Sequence, residues 1–422
     1  MDDLPAMSHD ASILDQRLAA AVARRLIEPG LAQRVRLNLR LQESLYPRKY
    51  PEETPAPSGG DADRPSPARP SLSGEALGRL LGLSRAAVHK HIDQLRGQGF
   101  SIESAAGTGY RLTRPADDLV AGEAVIPYLL ESFDPAAPWS AGLPYLYHQT
   151  CESTNLVLRQ AASGRPAQDY PDRDSDDALP AGAVAVTEHQ AAGRGRLGRT
   201  WSDEVGKELM FSVLLRPSLA PGQAHLLSLG AALAVARTLE LLPGLAARVK
   251  VKWPNDVFID GGKVCGILVE GSMDADRLHW AVAGIGVNVN GDSAALAETI
   301  AERGDEGAET RPQPVSLREC LGAAVPRAPL FAALLSRLTD VWSGLERGPA
   351  GVDDLLAGLR ERDVLAGSMV EVYGGAGRQQ VVASGKAVGI GPEGQLLLRT
   401  SAGETVSVVA GDVSLRRQPH LS

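Results

Sequence analysis

Residues 190–201 read Gln190-Ala191-Ala192-Gly193-Arg194-Gly195-Arg196-Leu197-Gly198-Arg199-Thr200-Trp201. The glycines satisfy G-x-G-x-x-G, and the apolar run 183–187 in front of them predicts a strand. A dinucleotide-binding turn is therefore the first reading to test. It fails on context. The following RTWSDEVGKELMF lacks the apolar 3.6-residue periodicity of a helix whose N-terminus would receive a pyrophosphate. No acidic residue stands about 20 positions further on to take a ribose hydroxyl. The stretch instead places Arg194, Arg196 and Arg199 within six residues, separated by glycines. Three guanidiniums on a backbone that can approach closely suit closure around an anionic ligand. A solvated basic surface loop is the alternative.

Working outward, residues 183–290 alternate strand-like apolar runs with one long helical run over 223–242, which predicts an α/β core with a substantial sheet. Lysine usage adds a second signal. Only seven of the 43 basic residues are lysine, and three of those seven fall within 250–263. Lys252 opens Lys252-Trp253-Pro254-Asn255-Asp256, and Lys263 precedes an apolar strand over 264–269 that ends in Glu270. In an arginine-rich chain, lysine here points to a need for a compact point charge rather than a planar fork. Asp256 beside them fits three roles: ion-pair partner, acid/base group or metal ligand.

Upstream, residues 71–115 read as a winged helix-turn-helix. Leu77, Leu80 and Leu81 mark a short helix, and Gly82 supplies a turn. Ser84 caps a second helix with Val88, Ile92 and Leu95 on one face. FSIES and YRLT flank AAGTG as the two strands of a wing. Six basic residues against three acidic ones give this block +3 inside a chain of net charge −8. Ser84, Arg85, His89 and Lys90 would face outward, where a recognition helix meets DNA. A winged helix used only for protein binding is the alternative. Residues 1–70 hold an amphipathic run over 13–27 and, over 46–70, a linker rich in Pro, Gly, Asp and Ser; the first helix of the winged module is either displaced to 13–27 or missing.

Downstream, 165–180 reads as an exposed acidic loop, 291–325 as polar and irregular, and Leu330, Leu334, Leu338, Trp342 and Leu345 as a helix. The tail 363–422 has short alternating strands punctuated by glycines, which predicts a small β-barrel. The chain of 422 residues is 44% hydrophobic and 22% charged, as expected of a packed multidomain protein. Its acidic balance excludes coating of nucleic acid by bulk charge. No apolar run is long enough for a membrane span. The acidic start MDDLPAMSHD and three isolated cysteines predict a cytoplasmic protein without disulfides or a zinc site.

Five ordered motifs combine: Glu152-Ser153-Thr154-Asn155, the 190–201 loop, Lys252-Trp253-Pro254-Asn255-Asp256, Gly262-Lys263-Val264-Cys265-Gly266 running on to Glu270, and Gly284-Ile285-Gly286-Val287-Asn288. Together they resemble the biotin–protein ligases, and with the winged helix in front, the bifunctional biotin operon repressor type. The resemblance implies a biotin/lipoate-ligase core of α/β (α+β) type over 140–362, between the winged module and an SH3-like barrel. It implies formation of biotinyl-5′-AMP from biotin and ATP with Mg²⁺, then transfer of biotin to a lysine of the biotin carboxyl carrier protein of acetyl-CoA carboxylase.

By the same resemblance Ser153, Thr154, Asn155, Gln190, Arg194, Gly195, Arg196 and Lys263 would hold biotin. Arg196, Arg199, Trp201, Lys252, Asn255, Asn288 and Arg416 would address ATP and the adenylate, with Lys263, Arg196, Asp256 and Lys252 carrying the chemistry. Mg²⁺ would ride on the ATP phosphates. The loop differs at Leu197, where the family often has arginine. Operator DNA and an adenylate-bound homodimer are the implied partners. A biotin-sensing transcription factor without catalysis and a lipoate-type ligase are the alternatives.

Overall fold

The computed structural model describes residues 11–45, 71–105, 109–163, 178–302, 312–374, 380–409 and 411–415. The linker 46–70, most of the acidic loop, the wing tip and Arg416 lie outside the described residues.

The front of the chain folds as α1 (Ala11–Ala23), α2 (Pro29–Leu45), α3 (Gly74–Leu81), α4 (Arg85–Gly97), β1 (Ile102–Ala105) and β2 (Gly109–Leu112). The helix-turn-helix forms for local reasons. Ser73 Oγ accepts the Ala76 N–H at 3.0 Å and Ser84 Oγ accepts the Ala87 N–H at 3.2 Å, so both helices start on hydroxyl caps. Gly82 at φ +67° turns the chain between them. Leu77, Val88, Ile92 and Leu95 are buried, and β1 and β2 pair antiparallel.

The expected displaced first helix is corrected. Residues 13–27 do not form one helix, because α1 ends at Ala23 and Arg25 sits at φ +56°. The helix packed against α3, α4 and β2 is α2. Its sequence Arg34-Val35-Arg36-Leu37-Asn38-Leu39-Arg40-Leu41 alternates with period two, a strand pattern taken alone. Tertiary packing overrides it: Val35, Leu37 and Leu41 are buried, and Asn38 Nδ2 donates to the Glu123 carbonyl at 2.8 Å.

The central unit begins with α5 (Gly122–Ser132), β3 (Tyr145–His148), α6 (Thr154–Ala162), β4 (Val184–Thr187), β5 (Leu209–Leu215) and α7 (His225–Leu239). It continues through β6 (Val249–Lys252), β7 (Asp256–Ile259), β8 (Gly262–Met273) and β9 (Leu278–Val287). Then come α8 (Ser293–Glu302), α9 (Leu317–Leu321), α10 (Arg327–Leu345) and α11 (Pro349–Arg362). Its seven strands run β3-β4-β5-β9-β8-β7-β6, antiparallel except for the β3–β4 pair. Alternation divides the faces. Val184, Val186, Phe211 and Val213 pack toward α7 and α10, while Ala183, Ala185, Leu214 and Val282 pack with Leu158 of α6. The 223–242 run reads as apolar nearly all round because α7 lies between sheet and α10. Trp342 of α10 donates its indole N–H to the Leu227 carbonyl at 3.1 Å.

Two further expectations are corrected. Residues 291–325 are not simply irregular, since they hold α8 and α9. Leu179, at the end of the expected exposed loop, is buried beside α6. The tail is as expected: β10 (Met369–Gly374), β11 (Gln380–Ile390), β12 (Leu396–Arg399), β13 (Thr405–Val408) and β14 (Asp412–Leu415) form an antiparallel sheet in the order β13-β12-β11-β10-β14. Bulges at Val372/Tyr373 and Ala387/Gly389 curl it into a small SH3-like unit.

Glu208, just before β5, is fully buried. Its Oε2 accepts the Val289 N–H at 2.5 Å, and its Oε1 has no hydrogen-bond partner among the described residues. Burial, reinforced by nearby Glu204, pushes its carboxyl up to about 7, against the pull of the Val289 N–H. A raised carboxyl binds a proton in the native state that the unfolded chain has already released. Stability should therefore fall as pH rises from about 4.5 to about 7. Glu208→Gln should remove about 3 kcal/mol of that pH dependence, measured by denaturant unfolding at pH 5 and pH 8. Equal slopes in parent and variant would contradict it.

Candidate active site

The register of β5, β9 and β8 builds the floor of the site. Ser212 pairs with Gly284, which pairs with Leu268; Met210, Gly286 and Gly266 form the next row, and Leu214, Val282 and Glu270 the row on the other side. These residues share the face that carries α6. The cross-strand pair Gly266/Gly286 leaves a bare strip, and the Trp201 ring lies on it. A Cβ on Gly266 would come to 2.9 Å from the ring, and one on Gly286 to 2.5 Å. A Cβ on Gly284 would collide with the Asn155 carboxamide. Glycine is required here for close approach rather than for a special φ. Trp201 Nε1 is buried without a hydrogen-bond partner among the described residues.

The glycine-arginine loop folds over this floor. Gly195 N–H donates to the Arg199 carbonyl at 2.7 Å and Trp201 N–H to the Gly193 carbonyl at 3.0 Å. A single 3₁₀ turn, Arg196–Gly198, replaces the helix a dinucleotide site needs, with Leu197 at φ +56°. Arg196 Nη1 donates to Asn255 Oδ1 and Nη2 to the Gly411 carbonyl, both at 3.1 Å. The loop is thus tied to the central sheet and to the C-terminal unit.

Beneath lies a cavity of about 350 Å³. One end is neutral and polar, with Ser153, Thr154 and Asn155 at the start of α6, and Gln190 whose Oε1 accepts the Thr154 N–H at 3.0 Å. The other end is cationic. Lys263 Nζ lies 2.8 Å from Asp256 Oδ1, and Lys252, buried at the end of β6, holds its Nζ 5.8 Å from the Phe258 ring centre. Among the described residues Arg194, Arg196, Arg199, Lys252 and Lys263 line the cavity together with one carboxylate, that of Asp256. Of the three roles open to Asp256, the structure shows the ion pair. Gly195, Trp201, Asn255 and Asn288 also line it. Asn288 donates its amide N–H to the Lys263 and Val315 carbonyls, both at 3.3 Å, strapping β8 to the segment at 312–315. Arg416 lies outside the described residues.

Sequence reasoning missed part of the wall. Leu296, Ala297 and Ile300 of α8 and Gln313 close one side of the cavity. Ser212, Arg159 and Glu270 also went unassigned, although Ser212 is a lone hydroxyl inside the apolar run LMFSVLL. Arg85, His89 and Lys90 lie exposed on α4 and Ser84 lies exposed as its cap, far along the chain from the cavity; His89 pairs with Asp93 at 2.9 Å.

The Biotin/lipoate A/B protein ligase family model matches residues 165–288, an HTH domain matches 67–111, and the Biotin protein ligase C terminal domain matches 367–416. The biotin–[acetyl-CoA-carboxylase] ligase of Mycobacterium tuberculosis is 34% identical over 264 residues, covering 62% of this chain and 85% of that protein. The chain belongs to the biotin protein ligase family. The bifunctional ligase/repressor BirA of Bacillus subtilis is 29% identical over 347 residues, covering 82% of this chain and 94% of that protein. A solved biotin protein ligase from Aquifex aeolicus, in complex with biotin and ATP, aligns at 25% identity with a TM-score of 0.48, covering 65% of this chain and 98% of that one.

In this biotin protein ligase the core match holds the glycine-arginine loop, both cavity lysines and the paired glycines, and the HTH match holds α3 and α4. Among the described residues no helix is long and apolar enough to cross a membrane. Because the Trp201 ring fills the space above Gly286, Gly286→Val should displace the ring and release the loop it anchors. Tryptic cleavage after Arg194, Arg196 and Arg199 should accelerate several-fold. Cleavage at the parent's rate would show that the ring does not hold the loop.

Proposed function

We propose that the protein joins biotin to ATP and hands the biotin to a lysine of the biotin carboxyl carrier protein of acetyl-CoA carboxylase. In the first step a biotin carboxylate oxygen bonds to the α-phosphorus of ATP and pyrophosphate leaves, giving biotinyl-5′-AMP. In the second, the carrier lysine's amine attacks the acyl carbon and AMP leaves. The observation that carries this reading is one cavity with a neutral hydrogen-bonding end and a cationic end.

The charges answer a specific difficulty. A carboxylate about 4 Å from a phosphate is repelled by roughly 4 kcal/mol at an effective dielectric near 20. Lys263, assigned to the carboxylate and the neighbouring phosphate, and Lys252, assigned to the phosphates, offset that repulsion and the charge that develops on the α-phosphoryl oxygens. Asp256 holds Lys263 in place at 2.8 Å. Arg194, Gly195 and Arg196 are assigned to the lid over biotin and the adenylate, which excludes water from a reactive mixed anhydride. Arg199, Trp201, Asn255, Asn288 and Arg416 complete the adenylate set, with the indole N–H of Trp201 a donor in need of an acceptor. Ser153, Thr154, Asn155 and Gln190 are assigned to the biotin ring.

Among the described residues no group of three or more potential ligands gathers to hold a metal. One carboxylate among five cations, counted over the described residues, suits Mg²⁺ carried on the ATP phosphates rather than in a protein cage. Bound there, the metal would screen phosphate charge. The reading also takes the protein to act in the cytoplasm.

Biotin-dependent ATP–pyrophosphate exchange tests the ligase, with lipoate as the competing substrate. Lys263→Ala should abolish exchange with little loss of stability, since a partly exposed ion pair contributes little to folding. Exchange at the parent's rate would remove Lys263 from the chemistry, and exchange with lipoate alone would overturn the substrate.

The second half of the reading is repression. One winged helix with Arg85 and Lys90 exposed makes too few phosphate contacts for specific affinities of about 10⁻⁸ to 10⁻¹¹ M. Two copies on a two-fold operator supply the rest. If the adenylate favours the dimer, the dimer must bind the adenylate better, by linkage. Sedimentation and DNA-shift assays should therefore show self-association and tighter operator binding once biotin and ATP are both present. If neither changes, the protein is a ligase without a biotin-responsive repressor function.

A further inference from the structure

The polar end of the cavity is one chain of hydrogen bonds, and donor–acceptor chemistry allows it a single direction. The Glu270 carboxylate only accepts. Arg159 Nη1 donates to its Oε1 at 2.6 Å and Asn155 Nδ2 donates to its Oε2 at 2.7 Å. With its NH₂ used in this way, Asn155 turns Oδ1 toward Ser212, 2.6 Å away. An amide oxygen cannot donate, so the Ser212 proton points at it. Ser212 has no second proton, so in its 2.7 Å contact with Thr154 Oγ1 the threonine is the donor. The competing contact from the Thr154 hydroxyl to Gln190 Oε1 is 3.4 Å and loses to the shorter one. Gln190 Oε1 in turn takes the Thr154 backbone N–H at 3.0 Å, which turns its NH₂ the other way.

We propose that Arg159 and Glu270 are positioning residues that set the polarity of the ligand end. With the chain run in this direction, Thr154 Oγ1 has spent its only proton and offers a ligand lone pairs alone, beside a donating Gln190 NH₂. That pair matches an N–H next to a C=O, as in the cyclic urea of biotin, and rejects a ring that presents acceptors on both sides. The inference rests on the biotin reading above and adds the two residues that orient the site without facing the ligand.

The glutamine variant separates this from a merely structural role. In Glu270→Gln, Arg159 still demands an acceptor, so the new carboxamide gives Arg159 its oxygen and Asn155 its NH₂. Asn155 must then flip, the Ser212 and Thr154 hydroxyls reverse, and Thr154 becomes a donor. Adding Arg159→Met frees that carboxamide to turn back. Calorimetric titration would use biotin and its cyclic carbonate analogue, in which ring oxygens replace both N–H groups. The parent's preference for biotin should fall by about 10-fold or more in Glu270→Gln, the scale set by one buried mismatched hydrogen bond, and should recover in the double variant.

If Glu270→Gln does not fold, Ser212→Ala cuts the same chain at its middle and should lower the same ratio. A folded Glu270→Gln or Ser212→Ala with the parent's ratio, or a double variant no better than Glu270→Gln, overturns the proposal alone. A parent that does not bind biotin overturns the functional reading and this proposal together.

Discussion

The bare face where Gly266, Gly284 and Gly286 cross β8 and β9 is the constraint on which the site depends. Side chains at those three positions would stand where the Trp201 ring and the Asn155 carboxamide now lie. Removing them creates a flat bed in a sheet otherwise packed on both faces. Trp201 fills one part of it and so fixes where the arginine loop can fold, while Asn155 fills another and so fixes the polar end. Loop, lysines and polar chain converge because one strip of sheet has no side chains of its own.

Charge is then divided across the cavity. The cationic end uses lysine at the two positions set into strand ends and arginine on the glycine-spaced turn, in a chain with only seven lysines. A compact ammonium fits beside the Asp256 carboxylate at a tight junction, whereas a planar fork reaches further and can bond two carbonyl-type acceptors, as Arg196 does with Asn255 and Gly411. Among the described residues the neutral end is lined by Ser153, Thr154, Asn155 and Gln190. Its one charged pair, Arg159–Glu270, sits behind Asn155 and acts through hydrogen-bond direction.

A buried guanidinium links the two halves of the molecule. Arg327, 2% exposed at the start of α10, donates to Asp118 Oδ1 at 3.0 Å, to Glu188 Oε2 at 2.7 Å and to the Glu208 carbonyl at 3.0 Å. Asp118 lies on the connector from the winged module, and Glu188 lies two residues before Gln190. On the same connector side, Arg17 of α1 donates to the carbonyls that end α5, and Arg34 of α2 pairs with buried Glu123 at 2.5 Å. The helix-turn-helix unit is therefore held to the catalytic unit by arginines whose partners include the buried carboxylates of Glu188 and Glu123, pairs that are costly to break on one side only.

By itself the sequence determined the elements whose causes are local. Ser73, Gly82 and Ser84 write the helix-turn-helix, apolar runs write the sheet, and the 190–201 loop with Lys252 and Lys263 names the cavity's cationic end. Tertiary structure decided what local patterns contradict or cannot express. Residues 34–41 alternate with period two yet fold as α2, because packing against α3, α4 and β2 outweighs local periodicity. The polar stretch after residue 290 became a cavity wall. Ser212 and Glu270 acquired meaning only through register, which sets Ser212 beside Gly284 and Glu270 one row away, next to Asn155. A hydrogen bond between residues more than a hundred positions apart leaves no periodic trace in a sequence; it exists only once the strands are paired.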